Sequence, residues 1–194
     1  MKFLDCFTID LRARAGGSAP GWGALLLRLL LNPGYRAVVY YRIAGYLRAV
    51  RYPRRLTNLM AALLTARLSR VPGVEIHARA TIAPGLSLPH PHDIVIGAGA
   101  RIGACATLYN GVTLGARDLK ARDTVQDESE RYPALGDNVT VFTGAKLLGP
   151  VRIGAHSTIG ANCVVLKSFP EKSVLVGIPA RNLADVETGS GTES

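Results

Sequence analysis

The 194-residue chain has little cysteine and no long apolar run. Its three widely spaced cysteines, Cys6, Cys105 and Cys163, exclude a disulfide framework or a zinc ribbon and favour a reducing compartment. The longest apolar stretch, GALLLRLLL, is interrupted by Arg28 and is far shorter than the roughly 20 apolar residues of a membrane-spanning helix. The N-terminal sequence lacks the layout of a signal peptide. We therefore expect a cytoplasmic protein that holds no metal.

Acidic residues are scarce in the first seventy positions, where Asp5 and Asp10 face twelve lysines and arginines. These seventy residues therefore hold ten more basic than acidic residues, whereas the formal net charge of the whole chain is +9. The basic character thus belongs to this N-terminal part alone. Its tyrosines fall within a helical apolar pattern, which predicts a place in the core and argues against nucleic acid as a partner. The arginines from Arg48 to Arg55 are expected to form a solvated surface and to help hold an anionic cofactor, and a weak, salt-sensitive contact with an anionic membrane is the alternative.

Apolar residues at helical spacing dominate three stretches, GALLLRLLL, YRAVVYYRIAGYLRAV and LMAALLTARLSR. The tripeptides NPG and RYP separate these stretches, because proline and glycine interrupt helices. The sequence therefore predicts a helical N-terminal domain over residues 1–72.

From position 76 onward an aliphatic residue returns at every sixth position, a period that fits neither a helix nor an alternating strand. A period of six is typical of a parallel β-solenoid, in which short strands stack and their aliphatic side chains form inward columns. The residue four places after each aliphatic one is usually small or apolar, as crowded corners require. The predicted inward positions are Ile76, Ile82, Leu88, Ile96, Ile102, Leu108, Leu114, Leu135, Val141, Leu147, Ile153, Ile159 and Val165.

Two interruptions break this repeat. In GLSLPHPHDIVIG, residues 85–97, the step lengthens by two, and the extra room holds two prolines and two histidines. A long polar segment, residues 116–134, separates the next two aliphatic positions. Insertions in a solenoid wall project outward, so we expect both to form loops on its surface. The polar residues 182–194 are expected to form a disordered tail.

Several blocks of the repeat resemble the serine acetyltransferase group and its polysaccharide and small-molecule O-acetyltransferase relatives. They are VEIHARATI, GLSLPHPHDIVIG, LYNGVTLG, YPALGDNVTVFTGAKLLGPVRIGAHSTIGANCVVLKSFP and VGIPAR. The resemblance implies an α+β protein in which an N-terminal helical cap precedes a left-handed parallel β-helix of hexapeptide repeats over residues 73–181. It also implies an acetyl-CoA-dependent O-acetyltransferase that forms a homotrimer, with a CoA groove between two subunits.

By position in these motifs, the resemblance implies that His90 is the general base and that Glu75 orients it. A hydroxyl is a poor nucleophile at neutral pH and needs a base within hydrogen-bond reach, and a nearby carboxylate stabilises the imidazolium that forms. Out of this context, PHPHD would read as a solvated surface turn, and His92 is the weaker candidate for the base. His77 and His156 occupy ordinary repeat positions and are expected to be structural or solvated.

The resemblance also implies a set of residues around the acyl donor. Small residues let the pantetheine approach the backbone, and basic residues meet the phosphates as charge-assisted partners. Backbone N–H groups near Gly115 and Ala116 are expected to hold the oxyanion. No covalent nucleophile is evident, because Cys105 and Cys163 lie at repeat positions where they are expected to pack. The implied CoA contacts are Ala116, Thr143, Ala161, Leu166, Lys167 and Arg181.

The acceptor site departs from the serine enzymes at two positions. Pro89 replaces the aspartate before the catalytic histidine, and Tyr132 replaces the histidine of an Arg-His-Pro motif. The loss of an acid that would face an ammonium group removes about 1–3 kcal/mol. We therefore expect a sugar or natural-product hydroxyl as acceptor, contacted by Arg131, Tyr132 and His92. Serine or a homoserine-like amino acid is the alternative, and a non-catalytic solenoid scaffold is the alternative of another class.

Overall fold

A computed structural model describes residues 9–10, 31–49, 57, 59–63, 73–117 and 128–184. One helix, α1, covers Pro33–Ala49, and residues 59–63 are also helical. Asn32 caps α1, because its side-chain Oδ1 accepts a hydrogen bond from the Tyr35 N–H at 3.0 Å. Most of the first predicted helix, the arginine-rich loop and residues 185–194 of the predicted tail lie outside the described residues. The tail was predicted to begin at 182, but Asn182 pairs with Leu175 and is ordered. Within the described part, no helix is long and apolar enough to cross a bilayer.

The described residues 74–117 and 128–182 wind through three sheets, to which successive coils add short parallel strands. The first sheet has the order β1-β3-β6-β9-β12, the second β2-β4-β7-β10, and the third β5-β8-β11-β13-β14, with only its last pair antiparallel. The strands are β1 Val74–Ile76, β2 Thr81–Ile82, β3 Ile94–Ile96, β4 Arg101–Ile102, β5 Thr107–Leu108, β6 Thr113–Gly115, β7 Ala134–Leu135, β8 Thr140–Val141, β9 Lys146–Leu148, β10 Arg152–Ile153, β11 Thr158–Ile159, β12 Val164–Val165, β13 Val174–Val176 and β14 Arg181–Asn182.

The core of the solenoid consists of the predicted aliphatic columns. All the aliphatic positions predicted to point inward are buried, and none is more than 6% exposed. Each such side chain contributes about 1.5–3 kcal/mol when it leaves water. Where the repeat is regular, the residues four places later are buried as well, from Ala80 at 5% exposure to Cys163 at 0%, whereas His92, four places after Leu88, is exposed. The six-residue period is therefore confirmed as the origin of the core.

The N-terminal part covers the open end of the first coil. Strand β2 lies at the edge of its sheet, so its carbonyl groups lack a strand on one side. The Tyr41 hydroxyl donates to the Ala80 carbonyl at 2.5 Å, and the Arg42 guanidinium donates to the Ile82 and Ala83 carbonyls. Helix α1 thereby acts as the polar cap that solenoids place on a terminal repeat.

A buried ion pair fastens this cap. Arg42 Nε lies 2.8 Å from Asp10 Oδ2, and the two side chains are 9% and 4% exposed. The other carboxylate oxygen of Asp10 accepts a hydrogen bond from the Gly85 N–H at 2.6 Å. The basic N-terminal part thus uses one of its few acids to join α1 to the solenoid.

Three corners join the sheets, and the sequence shapes each of them differently. The corner between the first and second sheets is here called the loop corner, because residues 116–117 leave the wall there and residues 128–133 return to it. The corner between the second and third sheets is called the regular corner, where five stacked residues have left-handed φ angles. They are Gly85, Cys105, Asn138, His156 and Lys172.

The third corner, between the third and first sheets, is called the bulged corner and has its own left-handed column. Its members are Gly73, Asp93, Gly111, Gly144 and Asn162. Glycine, asparagine and aspartate tolerate this conformation best, which explains most of the choices. Cys105 was predicted to pack inside, and this prediction is wrong. It is exposed, since a left-handed residue at the regular corner projects outward.

Candidate functional site

The break in the repeat is a two-residue bulge with His90 exposed on it. Val74 pairs with Ile94, twenty residues later, whereas Val95 pairs with Thr113, eighteen residues later. Below the bulge, the His92 carbonyl accepts a hydrogen bond from the Gly111 N–H, so the regular stacking has resumed by His92. Because Ser87 pairs with Thr107, two of the three residues Pro89, His90 and Pro91 have no counterpart in the next coil.

Helix α1 supports the bulge from the N-terminal side. Gly34 packs so closely that a Cβ added there would lie 2.6 Å from the Leu88 carbonyl oxygen and 3.2 Å from the Pro91 Cβ. Leu88 and Pro91 are buried, whereas His90 between them is exposed. The carbonyl of His90 accepts a hydrogen bond from the His92 N–H at 2.9 Å. The backbone of the bulge is thus fixed on its inner side, and the imidazole faces solvent.

Three of the predicted CoA contacts lie on the same edge as His90. Thr143 stacks in the column of His92, and Ala161 follows one coil later, because the Asn162 N–H donates to the Thr143 carbonyl at 2.8 Å. Arg181 pairs with Val176, at the C-terminal end of the third sheet. Successive coils are separated by about 4.8 Å, so these side chains form a row below the bulge. Thr143 is half-buried, and Ala161 and Arg181 are exposed.

The other predicted contacts lie at the loop corner. Leu166 and Lys167 follow β12 there, and the Lys167 ammonium lies 5.3 Å from the centre of the Phe169 ring. Ala116 follows β6 at the same corner, so the backbone proposed to hold the oxyanion is at the opposite end of the first sheet from His90. Within one chain, the structure does not bring these residues to the imidazole.

The predicted acceptor residues also belong to the loop corner. Arg131 ends a 3₁₀ helix, Glu128–Arg131, and is 8% exposed. The Tyr132 ring lies directly over Gly97, where a Cβ would collide with it. Tyr132 also lines a pocket of about 160 Å³ together with Arg101 and Arg152. His92, by contrast, is exposed at the bulged corner beside His90.

Glu75 lies near the bulge but does not contact the imidazole. It is in the middle of β1, exposed, and in register with Val95 of the strand that follows the bulge. Between the described residues Glu75 and His90, the structure has no hydrogen bond or ion pair. The imidazole instead lies 6.1 Å, centre to centre, from the Tyr109 ring, which stacks on Phe142 at 5.1 Å.

Sequence reasoning missed several residues at the bulged corner. Tyr109 and Phe142 each follow an inward aliphatic residue, a position whose side chain the six-residue period does not restrict. Lys146 was also missed, and its Nζ donates to the Gly111 carbonyl at 2.5 Å and to Thr113 Oγ1 at 3.1 Å. The repeat predicts which residues point inward, but it does not predict which outward side chains meet.

The remaining histidines and cysteines behave as ordinary repeat residues. His77 Nδ1 accepts a hydrogen bond from the Arg79 N–H at 3.2 Å, and His156 is exposed at the regular corner. Burial raises the pKa of the Cys163 thiol, which disfavours the thiolate needed by a nucleophile. Among the described residues, no group of three or more His, Cys, Asp or Glu side chains is placed to hold a metal ion.

Comparison with known proteins adds the family. The model of the bacterial transferase hexapeptide family (six repeats) matches residues 133–167. The serine acetyltransferase of Synechococcus elongatus is 39% identical over 155 residues, 79% of this chain and 58% of that enzyme. The serine acetyltransferase of Mycobacterium tuberculosis is 36% identical over 184 residues, 94% of this chain and 74% of that enzyme. The chain belongs to the serine acetyltransferase family.

A solved structure of a serine acetyltransferase in complex with CoA has the same fold. It matches with a TM-score of 0.72 and 30% identity, over 93% of this chain and 69% of that one. The predicted fold class, a helical N-terminal part followed by a left-handed β-helix of hexapeptide repeats, is thereby confirmed. The chain spans only 58% of the length of the Synechococcus enzyme. On the acceptor, the serine acetyltransferase relatives favour the predicted alternative, serine, over a sugar.

Proposed function

We propose that the protein transfers the acetyl group of acetyl-CoA to the hydroxyl of serine or of a similar hydroxy amino acid. The observation that carries this proposal is the match to an enzyme named serine acetyltransferase over 94% of this chain. The exposed imidazole on the bulge supports it, because O-acetyl transfer needs a base that the acceptor hydroxyl can reach. We propose the cytoplasm as its location, where acetyl-CoA and free amino acids are at hand.

In the proposed reaction, His90 removes the proton of the acceptor hydroxyl while the oxygen attacks the thioester carbonyl. The tetrahedral intermediate then collapses, the carbon–sulfur bond breaks, and the imidazolium returns its proton to the CoA thiolate. Glu75 is proposed to stabilise the imidazolium from the neighbouring strand. No acyl-enzyme is needed, and the buried Cys163 is unsuited to form one.

We further propose that the site is completed between two subunits of a homotrimer. The support is the division of the predicted residues between two edges of the chain. His90, Thr143, Ala161 and Arg181 lie along the bulged corner, whereas Ala116, Arg131, Tyr132, Leu166 and Lys167 lie along the loop corner. A groove formed by the bulged corner of one subunit and the loop corner of its neighbour would unite both sets.

A mixing experiment tests this arrangement. His90→Ala and Lys167→Ala subunits, each with impaired turnover, are expected to regain part of the wild-type activity when dissociated and reassembled together, because some grooves then receive two intact edges. Sedimentation should give a trimer at micromolar concentration. A monomer under assay conditions, or hybrids no more active than their parents, would contradict the intersubunit site.

A second acceptor class is favoured by two residues. Pro89 precedes the proposed base, and Tyr132 covers Gly97, where the serine enzymes offer an acid and a histidine. Thiol release from acetyl-CoA should be measured with serine, homoserine and a panel of sugars. An efficiency for serine of about 10⁴ M⁻¹s⁻¹ or more supports the proposal. Turnover with sugars alone supports the second class, and no release with any acceptor favours a scaffold.

A further inference from the structure

Three aromatic rings form a ladder along the bulged corner. The His90 imidazole is tilted by 40° against the Tyr109 ring at 6.1 Å, and the Tyr109 and Phe142 rings stack at 5.1 Å with an angle of 15°. Both distances lie in the range in which aromatic pairs attract each other. The ladder therefore connects the proposed base to the two coils below it.

The register of the third sheet produces this ladder. Tyr109 directly follows β5 and Phe142 directly follows β8, and these strands pair with Leu108 opposite Val141. One coil further, the equivalent position after β11 is Gly160, which has no side chain to continue the stack. Tyr109 is half-buried and Phe142 is 39% exposed, so the ladder is open to solvent on one side.

The imidazole of His90 has few other restraints. The prolines on both sides fix their own φ angles and stiffen the bulge, but they leave the side-chain torsions of His90 free. Among the described residues, none forms a hydrogen bond with this imidazole, and Tyr109 is the one aromatic residue in ring contact with it. Among the described residues, Tyr109 is therefore the aromatic side chain placed to influence the orientation of the ring.

We propose that Tyr109, held by Phe142, is a positioning residue that sets the orientation of the His90 imidazole for proton transfer. The proposal rests on the proposed role of His90 as general base. Proton transfer needs the base nitrogen within hydrogen-bond reach of the acceptor hydroxyl, and a misplacement of about 1 Å can cost about 10²-fold in rate. The tyrosine acts through its ring, so its hydroxyl is dispensable.

The kinetic test compares four variants in the thiol-release assay. Tyr109→Ala is expected to lower kcat by about 10–100-fold and to leave the KM for acetyl-CoA within about twofold. Phe142→Ala should lower kcat less, by about 3–10-fold, because Tyr109 remains in place. Tyr109→Phe should retain the wild-type kcat. Tyr46→Ala, which removes an exposed ring from α1, is the matched control and should change nothing.

Two kinetic outcomes overturn the proposal. If Tyr109→Ala raises the KM for acetyl-CoA and leaves kcat unchanged, the ladder is a wall of the CoA groove. If Tyr109→Phe loses as much kcat as Tyr109→Ala, the hydroxyl takes part in the reaction. Far-UV circular dichroism checks that each variant is folded. If Tyr109→Ala does not fold, Phe142→Ala still tests the proposal.

A measurement without any acceptor separates this proposal from the proposed function. In carbon–proton correlation spectra, the His90 ring resonance is assigned through its loss in His90→Ala. It should shift in Tyr109→Ala and stay in place in Tyr109→Phe, because the ring current of residue 109 acts on it. If the wild type has no activity but the His90 resonance shifts in Tyr109→Ala, the proposed function is refuted and the contact between the two rings is supported. If the resonance does not move in Tyr109→Ala, the positioning role is overturned.

Discussion

At the regular corner, five successive coils turn through a left-handed residue, and at the bulged corner five coils do the same. Both corners also have exposed histidines, His156 at the first and His90 and His92 at the second. His156 takes the turn position itself, inside an unbroken repeat. His90 is the middle one of three residues, two of which have no counterpart in the next coil. The proposed site is therefore distinguished by its departure from the repeat more than by the type of residue.

The N-terminal part also makes a different kind of contact with each of the two corners. At the regular corner, Asp10 accepts a hydrogen bond from the Gly85 N–H and pairs with Arg42, so the contact is polar and buried. At the bulged corner, Gly34 makes a close steric contact with the Leu88 carbonyl and Pro91. One contact fastens the cap to the solenoid, and the other shapes the bulge that presents His90.

The largest expected effect comes from removing the difference between the corners. Deletion of residues 90–91 would give the first coil the eighteen-residue length of its neighbour, so the solenoid should fold. Acetyl transfer should fall by at least about 10²–10⁴-fold, because the base is lost together with its bulge. Thiol release and far-UV circular dichroism measure the two results. A folded deletion variant with wild-type turnover would contradict the comparison.

The next effect concerns stability at the regular corner. Arg42→Ala would leave the Asp10 carboxylate buried without its cation and two carbonyls of the first coil without their donor. We expect a loss of about 3–5 kcal/mol in the free energy of unfolding, measured with urea. Arg48→Ala is the matched control, because Arg48 is exposed and reaches the Ala78 carbonyl at only 3.4 Å. Equal losses in both variants would show that the ion pair does not fasten the cap.

Two glycines of α1 provide a sharper comparison. Gly34→Ala should cost about 1–3 kcal/mol and lower turnover, because the added methyl group pushes on the bulge. Gly45→Ala should instead stabilise the protein by about 0.5–1 kcal/mol, because nothing lies within 4 Å of its Cβ position and alanine favours helix. Urea unfolding and thiol release of both variants test this. Similar effects of the two substitutions would rule out close packing at Gly34.

The smallest effect is a dependence on alkaline pH. Burial raises the pKa of Tyr41 above its ordinary value of 10.0, partly offset by the Arg42 charge. The native state then keeps the phenol proton longer than the unfolded state, so this contribution is complete below pH 10 and declines as pH rises through the native pKa. Tyr41→Phe should cost about 0.5–1.5 kcal/mol at pH 8. The difference from the wild type should shrink as the pH rises above 10, and a constant difference would contradict the assignment.

The sequence predicts the local part of this structure well. The six-residue period identified the inward columns and the bulge, since each depends on residues a few positions apart. The polar fastening of the cap was not predictable, because Asp10 and Gly85 are 75 residues apart and no periodicity links them. Tyr109 and Phe142 were missed for a related reason. Their contact depends on the pairing of β5 with β8, and the insertion at 116–133 separates these two strands in the sequence. The intersubunit groove and the acceptor stay predictions.

The most direct test of the account compares turnover in three histidine variants. His90→Ala, His92→Ala and His156→Asn are assayed for thiol release from acetyl-CoA, with asparagine chosen at 156 because it tolerates the left-handed φ of 59°. We predict a loss of about 10²–10⁴-fold in kcat for His90→Ala alone, with all three variants folded. A comparable loss in His92→Ala with an active His90→Ala would contradict the assignment of the base.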